Sequence, residues 1–152
     1  MERVVMEKHD ATGTGEEEDQ RERLDKLRQR VLRGGNNPHG PIRETLARIG
    51  DRWSPLLLLV LRTGKLRFTE IQREINSMAD GELSQRILTL KLRGLERDGM
   101  VTRTVIPTIP PQVEYCLTAL GVELAQRLEA LLGWLEAQAA TISAARATYD
   151  ET

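Results

Sequence analysis

Five polar side chains offer the clearest chemistry in this sequence. Ser84, Gln85 and Arg86 stand at the start of a helix, with Thr89 and Arg93 on successive turns of its outer side. Leu88, Leu92 and Leu95 fall on the opposite side. In the major groove, a glutamine amide can bond the adenine edge and an arginine fork the guanine edge. Ser84 is placed as the N-cap, so the first turn also turns unpaired amides toward a phosphate. These five are assigned to base contact.

Catalytic groups are scarce by contrast. His9 and His39 lie in the polar N-terminal region, away from the lone Cys116, and no spacing suits a metal. Gly64-Lys65 lacks the upstream glycine and following Ser or Thr of a phosphate-binding loop. A Gly-x-Ser-x-Gly elbow is absent. The chain is expected not to be an enzyme and to need no cofactor or metal.

Charge narrows the partner. The 152 residues carry 22 Lys and Arg against 23 Asp and Glu, a net charge of −1. That total excludes an all-over basic coat and leaves room for a local basic face. Residues 40–113 hold 12 cations against 8 anions, whereas residues 114–152 hold 2 against 6. Eighteen of the 22 cations are Arg, whose planar fork suits phosphate and guanine. The apolar run Leu56 to Leu61 is far shorter than the roughly 20 residues that span a bilayer. With no apolar stretch of a secretory signal at the N-terminus and one cysteine, a cytoplasmic protein that meets no membrane is expected.

The elements that must position the five residues follow from local signals. Residues 1–39 form an extension, with a disordered tail over 1–15 and then an amphipathic helix over Glu16–Arg33. That helix carries Leu24, Leu27, Val31 and Leu32, supported by Asp19/Arg23 and Glu22/Lys26 pairs. Gly34 to Pro38 is a linker. Ile42, Leu46 and Ile49 mark a short helix stopped by Gly50. Ser54-Pro55 opens an apolar helix that Gly64 closes. Thr69 and Gln72 read as a capping box for a third short helix. Ser84 starts the helix of the five, with Gly99 at its C′ position. Met100–Ile106 and Val113–Leu117 are strands around a proline-rich turn. Thr118 caps the last helix, where Leu120, Leu124, Leu128, Leu131 and Leu135 form a coiled-coil-like seam. Helix, short helix, turn, longer helix and hairpin is the layout of a winged helix-turn-helix. The fold expected is mainly α with a small β-hairpin wing.

The residues from Gly40 to about Glu136 resemble the HxlR-type winged-helix regulators, relatives of the MarR group. The resemblance rests on Pro41-Ile42-Arg43-Glu44-Thr45-Leu46, Ile49-Gly50-Asp51-Arg52-Trp53 and Arg67-Phe68-Thr69-Glu70-Ile71. It continues through Leu83-Ser84-Gln85-Arg86-Ile87-Leu88-Thr89, Leu95-Glu96-Arg97-Asp98-Gly99-Met100-Val101, and the wing from Pro107 through Pro110-Pro111-Gln112-Val113-Glu114-Tyr115 to Gly121. It implies a DNA-binding domain over 40–136, a helix end and frayed tail over 137–152, and homodimerisation through N- and C-terminal helices. It also implies bacterial transcription regulation. Family members often carry an oxidant-sensing cysteine before the first proline. Gly40 holds that position here, so the usual thiol switch is not expected. Cys116 is taken as a small filler on the second wing strand.

Double-stranded DNA and a second copy of the chain are therefore the partners expected. Arg52, Arg67, Thr69, Lys91, Arg103 and Gln112 are assigned to the DNA backbone and wing, with Lys65, Arg73 and Arg97 in the same cationic pool. Leu124, Leu128, Leu131 and Leu135 are assigned to the dimer interface. Trp53, Leu57, Leu128 and Trp134 are candidates to line a small-molecule effector pocket, with plain core packing the alternative. Leu90 is open to two readings, contact with a thymine methyl or partial burial. A second function stays in view, a protein-interaction module on the same scaffold that does not read DNA.

Overall fold

The computed structural model describes residues 12–35 and 37–152. They fall into two compact units, one reaching Glu44 and the other spanning Thr45–Thr152. In the first, α1 (Thr12–Arg30) continues into a wider turn, Val31–Gly35. Helix thus begins at Thr12, inside the segment expected to be disordered; the rest of that expectation lies outside the described residues. The expected ion pairs form, Arg23–Asp19 and Lys26–Glu22 both at 2.7 Å. Leu24, Leu27, Val31 and Leu32 stay exposed. The helix α2 (Pro41–Ile49) carries the boundary between the units, with Ile42 and Leu46 exposed.

The second unit is built around α3 (Ser54–Arg62), whose Leu57, Leu58 and Leu61 lie inside the core. Its start departs from expectation, because Trp53 holds the N-cap position and Ser54 is already helical. The capping oxygen comes from Asp51, which accepts from the amides of Trp53 (2.6 Å) and Ser54 (3.2 Å). Strand β1 (Leu66–Arg67) leads into α4 (Phe68–Met78), which buries Ile71 and Ile75. Thr69 and Gln72 do not cap this helix. The Arg67 amide donates to the Glu70 carboxylate at 2.9 Å, a half capping box.

Helix α5 (Gln85–Arg97) forms as expected. Ser84 Oγ accepts from the Ile87 amide at 3.2 Å, and Leu88, Leu92 and Leu95 are buried. Gly99, at φ +74°, ends it where a residue with a Cβ would be strained. The amide of Met100 closes this cap on the Leu95 carbonyl at 2.9 Å.

Strands β2 (Val101–Ile106) and β3 (Gln112–Leu117) make the wing, registered from Val101 opposite Leu117 to Ile106 opposite Gln112. Strand β1 adds to the free edge of β3, so the sheet has three antiparallel strands in the order β1-β3-β2. Helix α6 (Ala119–Asp150) is capped by Thr118, whose Oγ1 accepts from Gly121 at 3.0 Å and donates to the Gly99 carbonyl at 2.6 Å. A side chain at Gly121 would overlap the Met100 carbonyl, so the start of α6 lies directly on the exit from α5. Helix continues through residues 137–150, where a frayed end was expected. No helix among the described residues is long and apolar enough to cross a membrane.

Candidate nucleic-acid interface

The surface begins with α5, because its inner stripe fixes which side faces outward. Gln85, Arg86 and Arg93 are exposed, and their side chains make no hydrogen bond or ion pair among the described residues. Two hydroxyls on that side are partly engaged. Ser84 Oγ accepts the capping bond and keeps its own hydrogen to donate. Thr89 Oγ1 donates to the Gln85 carbonyl at 2.8 Å and keeps lone pairs to accept. Leu90 is 53% exposed, which does not fit the partial-burial alternative.

The turn before α5 is held by side chains that local pattern did not assign. Gln72 Nε2 donates to the Leu83 carbonyl at 3.0 Å, and Asn76 Oδ1 accepts from the Leu83 amide at 2.7 Å. Leu83 itself is buried. Two amides of α4 thus pin the residue that precedes the N-cap of α5.

Some of the cations assigned to phosphate also have partners within the chain. Lys91 pairs with Asp51 Oδ2 at 2.9 Å. Arg52 donates to the Asp80 carbonyl and stacks over the Trp53 ring at 4.6 Å. It braces the loop at Gly81, where a Cβ would stand 2.7 Å from its guanidinium. Lys65 pairs with Glu114 at 3.0 Å, and that carboxylate raises the ammonium's pKa above its usual value. Arg103 stays exposed on β2 without a partner among the described residues. Arg67, Thr69 and Gln112, by contrast, are brought together. With Phe68, Pro110 and Pro111 they line a cleft of about 360 Å³ between the start of α4 and the wing turn.

Asp51 is a positioning residue to which the sequence assigned no role. Burial pushes its pKa up, but bonds from Ser54 Oγ, Lys91 and the amides of Trp53 and Ser54 outweigh that and bring it to about 2. It therefore stays ionised, tying the loop before α3 to the middle of α5. An aspartate placed to accept from amides two and three residues on was its local signal. Arg48 and Asp98 form a second such tie, 2.6 Å apart. No local pattern marks that pair.

The residues assigned to the dimer seam divide. Leu128 is buried in the chain's own core and Leu124 packs against it, whereas Leu131 and Leu135 are exposed. The effector-pocket residues also part company. Leu57 and Leu128 are core packing, while Trp134 is 60% exposed. Cys116 is half-buried on β3, opposite Thr102.

A helix with a buried leucine stripe, an outward row of amide and guanidinium groups and an adjoining β-wing match known proteins. Residues 48–143 match the HxlR-like helix-turn-helix family. The HTH-type transcriptional regulator YtfH of Escherichia coli (strain K12) is 38% identical over 106 residues, 70% of this chain and 80% of that protein. A solved structure of the transcriptional regulator ytfH from Salmonella typhimurium superposes with a TM-score of 0.62 at 35% identity. That match covers 72% of this chain and 94% of the other. The redox regulator HypR in its reduced form gives 0.59 at 37% identity, covering 69% and 99%. The chain belongs to the HxlR-like helix-turn-helix family of transcriptional regulators.

Proposed function

We propose that this regulator is a homodimer that reads a pseudo-palindromic operator through α5. The observation that carries the reading is the outward row of Gln85, Arg86 and Arg93 on a helix whose other side is locked into the core. Two such helices, related by a twofold axis, would meet major grooves roughly 34 Å apart. Thr69, Arg67 and Gln112 would contact backbone beside the wing, and Arg103 would contact it from β2. The exposed pair Leu131 and Leu135, beyond the core-facing part of α6, supports pairing with a second copy. Signalling through the family's cysteine position is not part of the reading. Gly40 is buried there, and a Cβ would stand only 3.1 Å from Asn37 Cβ.

Selection of bound sequences from a random duplex library tests this reading. A two-half-site sequence should be enriched; no enrichment over input at low salt would sink the proposal. Arg86→Ala should relax base preference at one position of each half-site. Arg103→Ala should weaken every duplex alike and reduce the log–log salt slope by about 0.9.

One observation favours the second reading, a protein-docking scaffold. Leu90 is exposed on the same helix, and Ile109 is fully exposed at the wing tip. Association through these two would persist at high salt, where DNA contact fades.

A further inference from the structure

The outer side of α5 carries a gap. Gly94 interrupts the helix with no turn or positive φ to require it, although glycine is less favourable than alanine in a helix interior. The space above it is filled from another helix. A Cβ at position 94 would overlap the guanidinium of Arg48, which reaches across from α2. Arg48 Nε then donates to Asp98 Oδ2 at 2.6 Å, with both side chains mostly shielded from solvent.

Each partner suits this place electrostatically. Asp98 is the C-cap of α5, where a lone carboxylate meets the negative end of the helix dipole. Arg48 lies in the last turn of α2, where a cation is favoured. One guanidinium therefore offsets two helix ends and the carboxylate between them. The hydrophobic stripe holds α5 to the core along one side, and contacts away from that stripe help to fix its rotation. A side chain lodged in a gap on its flank is such a contact.

We infer that Arg48, seated in the gap left by Gly94 and bonded to Asp98, sets the rotation at which α5 presents its polar row to the bases. It is a positioning residue for operator selectivity and touches no DNA itself. The inference rests on the DNA-reading role proposed for α5. Lys91 and Asp51 hold the middle of the same helix, so Arg48 governs its C-terminal half.

Gly94→Ala is the sharpest probe, because the atoms nearest its Cβ belong to the side-chain end of Arg48 and alanine favours helix. The measurement uses the full chain, a duplex that it selects from a random library, and a scrambled version of that duplex. Gly94→Ala should lower affinity for the selected duplex about tenfold. Scrambled-duplex affinity should stay within about twofold, and Tm should not fall. Arg48→Gln should give the same loss of selectivity, and Arg48→Lys should regain part of it. The double variant should be no worse than either single one, since both changes remove one contact. Unchanged selectivity in Gly94→Ala, or losses that multiply in the double variant, would overturn the inference. If the unaltered chain cannot distinguish the two duplexes, the DNA-reading role itself fails, a separate result.

Discussion

In α5, Leu88, Leu92 and Leu95 lie wholly inside the core. In α6, Leu128, Leu131 and Leu135 repeat the same alternation of three- and four-residue steps, yet Leu131 is 47% exposed and Leu135 38%. The two helices differ in what surrounds them. The inner stripe of α5 meets the leucines of α3 and the isoleucines of α4 in one cluster. At about 1.5 Å per residue, the 32 residues of α6 extend about 48 Å. Its buried positions, Gly121, Ala125 and Leu128, lie in its first three turns. A leucine spacing thus says that a helix has a face to cover, and leaves open which element covers it. In α1 the same spacing is uncovered in its own unit.

Truncation at the two stripes should separate them most widely. Leu92→Ala should cost about 2–5 kcal/mol, because it leaves a cavity in a closed core. Its Tm should fall at every protein concentration. Leu131→Ala should leave Tm in dilute solution nearly unchanged and lower it only where the chain dimerises. Equal losses at both sites in dilute protein would erase the distinction between the covered and open stripes.

The polar latch on α5 gives a smaller effect, read by pH. Asp51 is pulled down from 3.8 to about 2. A carboxylate held below its unfolded value contributes stability that is complete above about pH 4. That stability disappears as pH falls toward about 2, and amounts to about 2 kcal/mol. Acid titration of Asp51→Asn, followed by far-UV circular dichroism, should show a flatter loss over that window. A profile identical to the unaltered protein would detach Asp51 from the stability of α5. The smallest effect is expected at the N-cap. Ser84→Ala should cost about 1 kcal/mol in urea unfolding, through the lost bond to Ile87.

The fold was legible where neighbours in sequence determine structure. Ser84, the leucine stripe and Gly99 define α5 through capping and periodicity, and Thr118 does the same for α6. Failures cluster where the deciding partner is distant in the chain. The two residues of β1 are too few to show alternation, and they become a strand only by pairing with Tyr115 and Glu114. Gln72 resembled a cap because its spacing from Thr69 suited one, but its amide reaches Leu83. Lys91 and Arg52 were recognisable as cations. Their partners Asp51 and Asp80 are set by tertiary packing, which no local spacing encodes. The row of Gln85, Arg86 and Arg93 was readable because helical geometry alone turns it outward.

The contact of Gly121 with the Met100 carbonyl reaches beyond packing. Together with the Thr118 bonds it joins the end of α5 directly to the beginning of α6. In the twofold dimer proposed above, a shift of one α6 against its partner would therefore carry the end of α5 with it.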